Sequence, residues 1–152
     1  MSASGPLQVG TIFARDFRIN RALREGGMGA VYVADQLSTG KQRALKVMAA
    51  YLASDPATRD RFVLEARAAS AIESDHVVEI VTAGVDDESG SPYLVMELLR
   101  GEDLSEAVQR MGKLSLGDVD EILSQVGHAL AQAHANGIVH RCLLYTSPSP
   151  RD

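Results

Sequence analysis

The sequence is short of cationic charge, of cysteine and of long apolar runs, and each shortage removes a class of function. Lysine and arginine number 15 against 20 aspartate and glutamate, a formal net charge of -5. Binding to nucleic acid draws on a basic face, so no nucleic-acid partner is expected. No apolar run is long enough to span a bilayer, and residues 1–6 carry neither the basic nor the apolar region of a secretory signal. The chain is therefore expected to be cytoplasmic and to make no membrane contact. The single cysteine, Cys142, has no second thiol to pair with, which agrees with a reducing compartment. Low-complexity tracts are absent as well: at 152 residues, 45% hydrophobic and 23% charged, the composition is that of a globular chain with a core.

What is present centres on Leu23-Arg24-Glu25-Gly26-Gly27-Met28-Gly29-Ala30-Val31-Tyr32. Loose alternation before the glycines and β-branched or aromatic residues after them predict a strand-to-strand turn. Such a turn is either a plain hairpin or a loop whose amides lie over phosphate oxygens. A dinucleotide fingerprint needs a helix after its glycines, and Val31, Tyr32 and Val33 oppose one. A P-loop fails too, because Gly40-Lys41 is followed by Gln42 and Asp35 stands where the first glycine belongs.

The turn residues at 36–41 close a hairpin, and a third strand over 42–48 follows. Its period of two sets Ala44 and Lys46 on one face and Leu45 and Val47 on the other. Lys46 is either an edge lysine reaching water or an ammonium that needs a partner. Ser54-Asp55-Pro56 opens a helix extending to about residue 73, with Phe62, Ala66, Ala69 and Ile72 as its apolar stripe. Glu65 projects along that stripe, either solvated at its edge or facing a cation such as Lys46. Two more strands are expected, one from Val77 and Val78 through Val81 and one over residues 92–97. They flank the acidic turn at residues 86–90.

After Gly101 only helices are expected. One runs from Asp103 or Leu104 to Met111 and stops at Gly112. A longer one opens on a capping box, Ser115 with Asp118, and ends at Asn136-Gly137. Its stripe comprises Val119, Ile122, Leu123, Val126, Leu130 and Ala133. His128 and His134, six residues apart, face different ways, so no metal pair is expected of them.

A glycine turn between strands, Ala44-Leu45-Lys46 on the third strand, a helix glutamate, and Gly137-Ile138-Val139-His140-Arg141 after a long helix occur here in one order. In that order the chain resembles the bacterial serine/threonine protein kinases of eukaryotic type, over about residues 15–141. The resemblance implies an α+β fold: a small lobe of five antiparallel strands and one helix, followed by the first helices of an incomplete helical large lobe. Its divisions are a leader at 1–14, small lobe at 15–97, hinge at 98–101, large-lobe start at 102–141 and a non-native tail at 142–152.

It also implies ATP as the nucleotide. Gly26, Gly27, Gly29 and Val31 would cover it, Lys46 would hold its α and β phosphates, and Glu65 would orient Lys46. Leu23, Val31 and Ala44 would form the adenine slot, with Met96 at its back. Glu97 and Leu99 would bond the base through their backbones, and Asp103 would meet the ribose. Arg24 departs from the family, which has glycine at the first position of the turn.

The family continues after His-Arg with Asp-Leu-Lys-Pro-x-Asn, the Asp as catalytic base and the Asn on Mg2+. Here Cys142 holds the base position and Ser147 the asparagine position, and only Leu143 agrees. The tail from Cys142 is identified with translated sequencing adapter, and no Asp-Phe-Gly follows it. The chain is thus expected to bind ATP but not to transfer phosphate, with no metal ligands of its own and its protein substrate unread. A nucleotide-binding pseudokinase module is the alternative, should the ending be genuine. The Gly-Gly-Met-Gly turn and the His-Arg order argue against a small-molecule kinase of the same fold. The stripe of the longer helix is expected to be exposed where the rest of a large lobe would cover it.

Overall fold

The computed structural model of the chain describes residues 7–27, 29–49 and 54–138, and of Glu65, Arg67 and Ala68 only the backbone. Leader residues 1–6, Met28, and the tail with Val139, His140, Arg141 and Cys142 lie outside the described residues. The chain divides into two compact units, Met1–Ser70 with Val78–Glu102, and Ala71–Val77 with Asp103–Asp152.

The first unit is an antiparallel sheet of six strands in the order β1-β2-β3-β4-β6-β5. They are β1 (Ile12–Phe13), β2 (Phe17–Gly26), β3 (Gly29–Gln36), β4 (Lys41–Met48), β5 (Ile80–Val85) and β6 (Pro92–Glu97). Five were expected, and the extra one is the short edge strand β1. It forms because Phe13 is an aromatic anchor, 4% exposed, edge-on to Tyr93 at 5.4 Å between ring centres. The Gly10 amide donates to the Ile19 carbonyl and the Ile19 amide to the Thr11 carbonyl, which prolongs this pairing. The Leu7 amide donates to the Tyr32 phenol oxygen at 3.0 Å.

Alternation along the strands separates two faces. Phe17, Ile19, Tyr32, Ala34, Leu45, Val47 and Val95 join Phe13 in one buried cluster. Each fully buried Leu, Ile, Val or Phe there stabilises the fold by about 1.5–3 kcal/mol. The pairing of β2 with β3 slips between Ile19 and Arg21 and again between Ala22 and Arg24. These bulges increase the local twist and leave Leu23 without a residue opposite it.

Helix α1 (Pro56–Ser70) packs against β5 and β6. It stops three residues short of the expected end. Of its expected stripe Ala66 is buried and Phe62 and Ala69 are half-buried, while Ile72 lies beyond the helix end. β5 begins at Ile80 rather than Val77, because a turn takes up the preceding amides: His76 donates to Ser74 Oγ and Val77 to the Ser74 carbonyl.

The second unit holds helices α2 (Leu104–Met111) and α3 (Leu116–Ala135). Both open on capping boxes. Asp103 accepts the Glu106 amide while the Glu106 side chain accepts the Asp103 amide, and Ser115 and Asp118 do the same. Gly112, at φ 79°, ends α2.

Candidate functional site

The glycine hairpin closes on the Gly26–Gly29 pair, with Gly27 and Met28 between them. The glycines are not equivalent. Gly29 has φ +142°, and a Cβ there would lie 2.1 Å from the Val47 carbonyl oxygen, so the crossing of β3 over β4 tolerates no side chain. Gly26 and Gly27 have nothing within 4 Å of a Cβ position, so neither is sterically required to be glycine.

Lys46 lies opposite Val31 on β3 and opposite Leu94 on β6, and Ala44 lies opposite Val33 and Met96. Directly opposed residues share a face, so Val31, Val33, Ala44, Lys46, Leu94 and Met96 line one side of the sheet. Ala44 and Val33 are buried there and Lys46 is half-buried. The result is an apolar surface with one ammonium in it, turned away from the aromatic cluster. Val33 and Leu94 were missed by sequence reasoning, although the period of two in Val31-Tyr32-Val33 and Leu94-Val95-Met96 carried the signal.

Met96 and Glu97 end β6. The Glu97 amide donates to the Glu79 carbonyl at 3.0 Å, and its carboxylate accepts the Glu79 amide at 2.9 Å. The Glu97 amide is therefore already engaged within the sheet and is not a donor to a nucleobase. Leu99 follows, exposed, and Gly101 takes φ +124°. Leu23 is 43% exposed at its bulge. Asp103 belongs to the second unit, where one of its oxygens is already the cap of α2. Glu65 is on α1, and its side chain lies outside the described residues.

A cavity of about 640 Å³ opens on the opposite face, between β1, the glycine hairpin and the β5–β6 turn. Of the expected site residues it takes only Gly26 and Gly29; Phe13, Tyr32 and Val47 form its apolar wall, and Asp86, Glu88 and Ser91 lie at the turn side. The Asp86 carboxylate accepts the amide and hydroxyl of Ser89, which fixes that turn. No group of three His, Cys, Asp or Glu that could hold a metal ion occurs among the described residues.

Residues 17–143 match the protein kinase domain family. The chain belongs to that family. It is 36% identical over 137 residues to the serine/threonine-protein kinase PknA of Mycobacterium tuberculosis, covering 88% of this chain and 32% of PknA. It is 45% identical over 127 residues to the serine/threonine-protein kinase Pkn1 of Myxococcus xanthus, covering 84% of this chain and 18% of Pkn1. The crystal structure of the M. tuberculosis PknI kinase domain superposes with a TM-score of 0.77 at 30% identity, over 90% of this chain and 54% of that one. This kinase chain thus spans a third or less of those two curated relatives and about half of the solved domain. The antiparallel sheet with its single helix corresponds to the kinase small lobe, and α2 and α3 to the start of the large one.

Proposed function

We propose that this chain is the ATP-binding portion of a serine/threonine protein kinase, one that in complete form moves the γ-phosphoryl group to protein hydroxyls. The observation that carries the reading is Lys46: a half-buried residue on an apolar sheet face, one strand over from the glycine hairpin, in a chain of the kinase family. A planar base needs a narrow apolar slot, and a polyphosphate needs amide donors and a cation. Leu23, Val31 and Ala44 would enclose the base, with Met96 behind it and the Glu97 carbonyl and Leu99 amide at its edge. Gly26, Gly27 and Gly29 would lay the hairpin over the phosphates, Lys46 would bond the α and β phosphates, and Glu65 would orient Lys46. Asp103 would meet the ribose. The described residues offer no ligand set for Mg2+, so the ion is assigned to none of them.

Cys142 and Ser147 stand where the family has its base and its metal-binding asparagine. Phosphoryl transfer rests on positioning and charge neutralisation, so without these parts the chain would bind nucleotide and leave it intact. The same two positions favour a second reading, a non-catalytic nucleotide-binding module. Genomic sequence after Arg141 separates the two: Asp-Leu-Lys-Pro-x-Asn supports the enzyme, and the present ending supports the module.

The site is tested by titrating the chain and Lys46→Ala with ATP. Loss of one charge-assisted contact to phosphate should weaken binding at least about tenfold. Equal affinity, or unchanged phosphate transfer by Lys46→Ala in a chain restored past Arg141, would overturn the assignment.

A further inference from the structure

We propose that His76 and His128 form a two-histidine site for a divalent transition-metal ion that favours imidazole, such as Zn2+ or Cu2+. The two are 52 residues apart in the chain, yet their rings meet in the second unit with centroids 5.5 Å apart and planes at 89°. A tetrahedral ion bonded to two imidazole nitrogens at about 2.0–2.1 Å holds the ring centroids roughly 5 Å apart, close to the spacing of this edge-on pair.

Three further observations fit a cation. Neither Ala71–Val77 nor α3 contains a lysine or arginine, whereas together they contain Glu73, Asp75, Asp118, Asp120 and Glu121. Glu121 lies two turns before His128, on the same side of the helix. Both histidines are exposed, so an ion reaches them from solvent. Both are also held: His128 is in the interior of α3, and the His76 amide donates to Ser74 Oγ at 3.2 Å in the turn that presents the ring.

Among the described residues no third His, Cys, Asp or Glu completes the set, so water fills the remaining positions and the site is an open one. Its consequence is mechanical. An ion bound to both rings ties Ala71–Val77, the segment between α1 and β5, to α3, and because the unfolded chain lacks this geometry the ion stabilises that unit by mass action.

The test uses the full chain with Cys142→Ser and His140→Ala, which removes the tail's own ligands. Zn2+ affinity is measured by competition with a chromophoric chelator, and Cu2+ coordination by electron paramagnetic resonance. His76→Ala and His128→Ala should each weaken Zn2+ binding at least about tenfold, while His134→Ala should not. The Cu2+ spectrum should show coupling to two nitrogens in the parent and one in either variant. Zn2+ binding that survives both substitutions overturns the site. So does a parent Cu2+ spectrum with a single nitrogen, a result that does not depend on any variant folding. ATP binding does not enter this test, so its outcome is independent of the nucleotide assignment.

Discussion

Gly29 and Gly26 sit opposite each other in one hairpin and do different things. A methyl group at Gly29 would have to displace the Val47 carbonyl and adopt φ near +142°, so Gly29→Ala should cost about 3 kcal/mol of stability. Gly26→Ala meets open space and should stay within about 0.5 kcal/mol, its effect appearing in nucleotide affinity instead. Urea unfolding of the two variants separates these roles; equal losses of stability would refute the division. Tyr93 supplies a second test at this scale. Burial first, then the carboxylates of Asp86, Asp16 and Asp87, hold its phenol above the ordinary value of 10. The unfolded chain therefore ionises at lower pH than the folded one, and stability should fall as pH climbs from about 10 toward the raised value. Tyr93→Phe should flatten that alkaline decline in urea midpoints. A decline of the same slope in the variant would locate its cause elsewhere.

Among the elements, α3 owes its start to side chains that sequence alone identifies. The Ser115 hydroxyl bonds the Asp118 carboxylate at 2.6 Å and accepts the Asp118 amide at 3.1 Å. That hydroxyl, with the Ser115 amide, holds Asp118 below its ordinary value. Ser115→Ala should therefore lower the thermal midpoint of the helical signal by a few degrees at neutral pH. The difference should shrink as pH falls through the lowered value of Asp118, because protonation abolishes the same contact in the parent. A constant difference down to strongly acidic pH would mean that the box contributes nothing through charge. The strands were legible for a similar local reason: alternation over Val31-Tyr32-Val33 and Ala44-Leu45-Lys46-Val47 is fixed by a period of two. β1 was not, since a two-residue strand has no period and forms where Phe13 pairs with Phe17 and packs on Tyr93.

At the scale of the whole molecule, the apolar residues of α2 and α3 are prominent. Leu104, Val108 and Met111 on α2 are exposed, as are Leu116 (89%), Leu123 (65%) and Val126 on α3. Neighbouring apolar surface of this kind drives association. Sedimentation velocity at micromolar concentration should show self-association, reduced by Leu116→Glu with Leu123→Glu. A monodisperse parent that melts sharply would contradict it.

The amino-acid sequence by itself determined the order of the main strands and helices, the cap at Ser115, and the face on which Ala44 and Lys46 lie. These depend on neighbours within a few residues, where periodicity and hydrogen-bonding chemistry act directly. Only the tertiary structure decided that a sixth strand joins the sheet, that Gly29 rather than Gly26 is sterically required, that the cavity lies on the face away from Lys46, and that His76 meets His128. Each of these depends on residues distant in sequence being brought together by burial of the apolar surface, and no local pattern records which distant partner will arrive.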